Sequence, residues 1–398
     1  MRRIDLKKAQ AARLNTIRDI NRQIVLNYVR DREPISRAEI SRETALQRST
    51  ISTIVEALKG EGLIEEIGEG ESTGGRRPTM LRLRTDGPIA IGVAIRPTRT
   101  VIATCNLAGR VLEQEEFPAE PDPQRALQRI ISSVRYFSER HKASIEAVGV
   151  TIPGLVDPET GHAVYVPYFE WRDLPIEQEI AVATGLPVTI DNDANSVALA
   201  ELWFGRPELS DARDFIVVLV GAGVGTGIII DGQVYRGERG AAGEFGHMIV
   251  GARAPVPCSC GNYDCWEAFA SERAALARYA GSRRVDAHAH PPTFSMVIDR
   301  ALAGEAGALN ALIETATYLG IGISNLVVGF SPEVVVVGGE IARAWSLIEE
   351  ALTKTIHRSV RRGLPTARIV PSTLGPEPGL MGALSLVLAN KFGASFAA

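Results

Sequence analysis

Over residues 15–30 apolar side chains return at helical spacing (Ile17, Ile20, Ile24, Leu26, Tyr28), and Pro34 ends the pattern. Ser36-Arg37-Ala38-Glu39 then predicts a second helix opened by a capping box, in which the serine hydroxyl and the glutamate carboxylate each satisfy a backbone amide left over at the helix start. After a turn at Thr44-Ala45-Leu46-Gln47, the residues Ile51, Ile54, Val55 and Leu58 mark the buried face of a third helix running to about Lys59. Its other face carries Arg48, Ser49, Thr50, Ser52 and Thr53. Gly60-Glu61-Gly62 stops the helix, and residues 63–67 and 80–83 bracket a glycine-rich tip that predicts a two-stranded hairpin. Three helices followed by such a wing predict a winged helix-turn-helix.

After Pro88 apolar strands alternate with helical stretches. Strands are predicted at 89–95, 101–106, 148–152, 188–191, 215–220, 227–230 and 334–337, and helices at 127–141, 194–204, 271–280, 308–327 and 342–357. This is an α/β pattern with mixed sheets in two lobes. It divides the chain into a head at 1–85, a first lobe at 86–194 to which a C-terminal helix at 380–398 returns, and a second lobe at 195–379. A length of 398 residues suits such a division. No tandem repeat is visible, and no run of about 18 apolar residues, so no membrane span is expected. The first residues lack an apolar secretory segment, and a cytoplasmic protein is expected.

Charge separates the head from the rest. Residues 1–85 carry 17 Lys/Arg against 12 Asp/Glu, a net +5, whereas the remainder carries 26 against 35, a net −9. A polyanionic partner is therefore expected for the head alone, and double-stranded DNA suits a helix with a small polar and cationic N-terminal face. Arg48 suits a guanine edge, and the hydroxyls of Ser49, Thr50 and Ser52 suit base or phosphate. The tip Gly74-Gly75-Arg76-Arg77-Pro78 offers two guanidinium groups to phosphates or the minor groove. The plainer alternative is a protein-docking domain with solvated arginines.

Three of the four cysteines, Cys258, Cys260 and Cys265, fall within eight positions, too close for a disulfide framework. With His247 they supply the donor set of a closed, structural tetrahedral Zn²⁺; three buried thiols beside an unrelated histidine are the alternative. His288 and His290 lie in a polar, proline-flanked loop and are expected in solvent. Polar groups cluster at predicted strand ends: Asp191-Asn192-Asp193-Ala194-Asn195, Gly243-Glu244-Phe245-Gly246-His247, and Trp266-Glu267. Carboxylates beside an amide and an imidazole suit vicinal sugar hydroxyls.

In this order the motifs resemble the ROK family (repressors, open reading frames and kinases), in its repressor-length branch, over residues 21–381. Ile35-Ser36-Arg37-Ala38-Glu39-Ile40 and the Gly74–Pro78 tip resemble the branch's helix-turn-helix and wing. In the body the resemblance is carried by Pro153-Gly154 through Trp171, by Asn192-Asp193-Ala194-Asn195, by the segment ending in His247, and by Cys-x-Cys-Gly-x-x-x-Cys-Trp-Glu. It implies a two-lobed, actin-like ATPase fold of the sugar-kinase type. It also implies a sugar held by Asn192, Asp193, Glu244, His247 and Glu267, and zinc held by His247, Cys258, Cys260 and Cys265.

Departures from the family's kinases are informative. Where those kinases have a D-x-G-G-T phosphate loop, this chain has Ala94-Ile95-Arg96-Pro97-Thr98, with no metal-orienting acid and a proline lacking an amide hydrogen. Gly221-Ala222-Gly223-Val224-Gly225 keeps its glycines but has Ala222 in place of threonine, and Pro167-Tyr168-Phe169-Glu170-Trp171 lacks a sugar-contacting asparagine. Asp193 matches the kinase general base. The expected function is a dimeric, or dimer-of-dimers, regulator, a repressor with a catalytically silent sugar-kinase body. It responds to a small neutral sugar and binds a two-fold symmetric operator. The alternatives are an active ATP-dependent sugar kinase with a DNA-binding head, and a regulator answering to a protein partner or another metabolite.

Overall fold

The structure, a computed structural model, describes residues 14–70, 77–87, 89–141, 145–206, 209, 212–281, 291–360 and 363–392. Gly74, Gly75, Arg76, His288, His290 and the chain beyond 392 lie outside these residues. The head comprises α1 (Leu14–Arg32), β1 (Ile35–Ser36), α2 (Arg37–Thr44), α3 (Arg48–Gly60), β2 (Ile64–Glu69) and β3 (Thr79–Leu83). The capping box forms: Ser36 Oγ accepts from the Glu39 amide at 3.3 Å, and the Glu39 carboxylate accepts from the Ser36 amide at 2.8 Å. Ile51, Ile54, Val55 and Leu58 are buried as their spacing requires. The wing has three strands rather than two, ordered β1-β3-β2, because the extended pair after Pro34 finds the open edge of β3, with Ile35 opposite Leu81.

The body begins with β4 (Ile89–Ile95), β5 (Arg99–Asn106), β6 (Val111–Pro118), α4 (Pro123–His141) and β7 (Ile145–Ile152). Three short strands follow, β8 (Leu155–Asp157), β9 (His162–Val166) and β10 (Trp171–Leu174), then α5 (Ile176–Thr184), β11 (Val188–Asn192) and α6 (Asp193–Phe204). The first sheet runs β11-β7-β4-β5-β6, and β8 to β10 form a separate flap. The rest of the chain supplies β12 (Phe215–Val220), β13 (Val224–Ile230), β14 (Gln233–Val234), α7 (Trp266–Ala270), α8 (Glu272–Gly281), α9 (Phe294–Leu302) and α10 (Ala306–Phe330). It closes with β15 (Val334–Gly338), α11 (Trp345–Ser359), β16 (Arg368–Pro371) and α12 (Pro378–Phe392). The second sheet runs β14-β13-β12-β15-β16.

Continuous apolar runs occupy the sheet centres, where both faces are covered: β4 is buried along its whole length, and so is β15. A 3-10 turn at Glu340–Ala344 precedes α11, splitting the single helix expected over 342–357. The 25-residue α10 is long and apolar enough to cross a membrane by length and composition, but most of it is buried within the second lobe. Trp266 is fully buried against it, its indole N–H donating to the Tyr318 carbonyl at 2.9 Å.

The last helix returns to the first sheet. Gly92 leaves room for α12: a Cβ there would stand 2.8 Å from the Leu384 side chain. No linker core separates head from body, since Val25, Leu26 and Val29 of α1 share one hydrophobic cluster with Ala103 and Cys105 of β5 and with Leu384, Val387 and Leu388 of α12.

Candidate functional site

Between the two sheets lies a cavity of about 420 Å³, in the size range of small-molecule sites. The β4–β5 turn, the β12–β13 turn, the flap and the N-termini of α6 and α12 all reach it. Asn192, Asp193, Glu244, His247 and Glu267, drawn from separate stretches of the sequence, line this one cavity.

Their freedom differs. Asn192 caps α6: its side-chain oxygen accepts from the amides of Ala194 (2.9 Å) and Asn195 (3.2 Å), and its Nδ2 donates to the Gly154 carbonyl (3.0 Å). One N–H remains for a ligand. Asp193 accepts from the Ala194 amide at 2.8 Å, and burial pushes its carboxyl up to about 7, against the pull of the Arg96 guanidinium and with the push of Glu244. Glu244 is also held above the ordinary carboxylate range, first by burial. Its Oε2 lies 3.5 Å from His247 Nε2.

Glu267 is buried, and its Oε1 accepts from the Ser259 amide (2.9 Å) and the Ser259 hydroxyl (2.7 Å) and lies 3.2 Å from Cys258 Sγ. Its other oxygen faces the β12–β13 turn, where a Cβ at Gly223 would stand 2.5 Å from Glu267 Oε2 and 2.7 Å from the Tyr168 hydroxyl. A larger residue there has to displace the ends of those two side chains. Glu267 therefore joins the cavity wall to the cysteine loop rather than presenting a free carboxylate.

The donor atoms of His247, Cys258, Cys260 and Cys265 lie within 4.8 Å of one another. Cys258 Sγ is 3.3 Å from Cys260 Sγ and 3.3 Å from His247 Nδ1, and Cys260 Sγ is 3.9 Å from Cys265 Sγ. Tetrahedral zinc with bonds of about 2.3 Å separates its sulfurs by roughly 3.8 Å, so these residues fit the ion. Burial pushes the Cys258 and Cys265 thiols up, which makes a cation the natural means of holding them as thiolates. His247 turns Nδ1 to the thiols and Nε2 to the cavity.

The other half of the cavity holds residues that sequence patterns did not single out. Glu272 and Glu340 line it; burial pushes Glu272 up to about 7, with Arg96 opposing and Glu340 adding. The β4–β5 turn is tight, the Arg96 amide donating to the Arg99 carbonyl at 2.9 Å. Arg96 Nη1 meets Glu377 at 3.0 Å, and Arg99 pairs with the same carboxylate. Glu272 reads in sequence as an ordinary acid in the first turn of a helix, and Glu377 as a loop residue between prolines. Only the fold brings them to one place. Tyr168 had a sequence signal, its place in the Pro167–Trp171 segment.

On the head, Arg48, Ser49 and Ser52 are exposed along α3, and Thr50 is half-buried. The first turn of α3 contains no acid, so its positive helix end is unopposed. Arg37 clips α3 to the wing, reaching Glu56 at 2.7 Å and Glu66 at 2.8 Å. Arg77 is exposed at the base of the wing tip.

Comparison with known proteins places this geometry. A family model described as the ROK family matches residues 90–390. The xylose repressor of Caldicellulosiruptor bescii is 33% identical over 393 residues, covering 94% of this chain and 96% of its own length. A solved ROK family transcriptional regulator, a homolog of the E. coli MLC protein, covers 95% of this chain and 98% of that one at TM-score 0.78 and 27% identity. A ROK family glucokinase from Streptomyces griseus, solved with glucose and AMPPNP, covers 75% of this chain and 98% of its own at TM-score 0.68 and 30% identity. The regulators extend over the head, and the glucokinase stops short by about its length. With one family model spanning most of the body and a near full-length relative above 30% identity, the chain belongs to the ROK family.

Proposed function

We infer that the chain is a sugar-responsive, DNA-binding transcriptional repressor whose body receives a neutral monosaccharide and has no phosphoryl-transfer role. The observation that carries this reading is the pairing of a sugar-type half-cavity with a remade phosphate half. Asp193 and Glu244 face the cavity as acceptors suited to hydroxyl donors, and Asn192 Nδ2 and His247 Nε2 offer donors to hydroxyl oxygens. Across from them the Arg96-Pro97 turn is pinned to Glu377, and Glu272 and Glu340 line the wall. Phosphoryl transfer depends on Mg²⁺ and backbone donors around the phosphates, and a wall of carboxylates opposes a triphosphate.

Zinc, held by His247, Cys258, Cys260 and Cys265, is structural here: four protein donors leave no position for a catalytic water. It supplies the charge that keeps the thiolates together, and through Ser259 and Glu267 the loop it orders forms part of the sugar wall. Arg48, Ser49, Thr50 and Ser52 read the major groove, while Arg76 and Arg77 serve the wing. The chain acts in the cytoplasm as a dimer or dimer of dimers, through a head at 1–85, a first lobe at 86–194 with 380–398, and a second lobe at 195–379.

The test is calorimetry of the full chain against D-xylose, D-glucose and N-acetyl-D-glucosamine, with Asp193→Ala as control. Binding of one of them, lost in the variant, is expected. No binding to any, or equal binding by the variant, contradicts the sugar assignment and favours a protein partner as effector.

A further inference from the structure

Two helices begin at the cleft and end at the head. Asn192 and Asp193 at the start of α6, and Pro378 and Gly379 at the start of α12, line the cavity. The 12 residues of α6 carry the chain about 18 Å away from it. The two helices touch with no side-chain layer between them: a Cβ at Gly382 would stand 2.9 Å from Ser196 Cβ, and Ser196 is fully buried with its hydroxyl donating to the Asn192 carbonyl at 2.8 Å. Contacts this close transmit displacement instead of absorbing it, because a packed interior has few voids to deform into.

At the far end both helices meet α1. Trp203 and Phe204 of α6, with Leu384, Val387 and Leu388 of α12, pack in the same cluster as Val25, Leu26 and Val29. The Arg30 guanidinium lies over the Trp203 ring, 4.6 Å from its centroid. Apolar contact is non-directional and tolerates sliding, whereas a guanidinium over an aromatic face fixes an orientation. Phe204 is braced from the other side by the β5–β6 turn, where a Cβ at Gly109 would meet its ring at 3.3 Å.

We propose that α6 and α12 act as one transmission element carrying a change at the cleft to the DNA-binding head, and that the head receives it through the Trp203–Arg30 contact. This rests on the reading of the cleft as an effector site. A ligand at Asn192 and Asp193 shifts the start of α6; α12 moves with it; and α1, held by Trp203, changes its set against the body. Since α1 leads directly into α2 and α3, the recognition helix follows.

Hydrogen exchange of the full chain, read at amides of α1 and α6, tests this. Whichever of D-xylose, D-glucose and N-acetyl-D-glucosamine binds by calorimetry is expected to slow exchange in both helices of the wild type, by about threefold or more in α1. Trp203→Leu and Arg30→Gln are expected to keep the sugar Kd within about twofold and the α6 effect, yet lose the α1 effect, while Trp203→Phe, which retains an aromatic face, keeps it. A full α1 response in both disrupted variants, or a wild-type response confined to the body, overturns the proposal. A ligand-free arm separates its failure from that of the effector reading. Asn192→Ala removes the cap of α6 and is expected to speed α1 exchange about threefold in the wild-type background and by much less beside Trp203→Leu. Equal effects in the two backgrounds overturn the transmission role whether or not any sugar binds.

Discussion

Asp193 combines a carboxyl raised to about 7 by burial with a position at the cavity wall. Sugar hydroxyls donate to the ionised form, so binding favours the carboxylate and expels a proton wherever the empty site is protonated. Affinity is therefore expected to be about tenfold weaker at pH 6 than at pH 8, with proton release visible when calorimetry is repeated in buffers of different ionisation enthalpy. Asp193→Asn should weaken binding and flatten the profile; a flat wild-type profile contradicts the assignment.

Glu201, on the buried side of α6, has the same shift without the ligand. It is 1% exposed, neither oxygen has a well-formed hydrogen bond among the described residues, and burial pushes it from the ordinary 4.5 up to about 7. With the folded value raised, its contribution to stability is fully present below pH 4.5 and is lost as pH rises through 7. Glu201→Gln is expected to stabilise the chain by about 1–3 kcal/mol at pH 8.5 and to do little at pH 5, as read by thermal unfolding.

Among the elements, the cysteine loop and the head make separable predictions. Cys260→Ser should release the metal, lower the melting temperature by about 5 °C or more, and weaken sugar binding with it, because Glu267 is positioned by Ser259 of the same loop. Protein purified without chelator and found metal-free by elemental analysis contradicts the zinc assignment. On the head, Arg48→Ala should relax base preference at one position of the site, a discrimination of about 1–3 kcal/mol, whereas Arg77→Ala should weaken all DNA sequences alike and reduce the salt slope by about one. Affinities measured across a salt series and a set of single-base variants distinguish the two.

The elements also differ in how far the sequence disclosed them. α2 and α3 were legible because a capping box and a four-residue apolar face are local signals, and β4 and β15 because fully buried strands are unbroken apolar runs, as is β12 with only Leu219 half-buried. By contrast β6 carries Glu113, Glu115 and Glu116 on an exposed sheet edge and reads as a polar segment, although its register against β5 is nearly continuous. The flap strands are three to five residues long, too short for periodicity to show. In the cavity, residues of one motif were legible by type. What was hidden was how each group is used: Asn192 as a cap, Glu267 as a strut, Glu272 and Glu340 brought to one wall from distant segments, and Glu377 pinning the Arg96 turn.

Over the whole molecule, the shared core of α1, β5 and α12 makes head and body one mechanical unit, so a change in the cleft has a route to the DNA. In the proposed dimer, a shift of each head becomes a change of half-site spacing. The most direct measurement is the affinity of the full chain for DNA fragments that it enriches from its own genome, at fixed salt, with and without D-xylose, D-glucose and N-acetyl-D-glucosamine. A two-fold symmetric site is expected, with about tenfold or greater weakening by one of these sugars and no sugar phosphate formed when Mg²⁺ and ATP are added. DNA affinity indifferent to every one of them, together with ATP-dependent phosphorylation abolished by Asp193→Asn, would contradict this expectation.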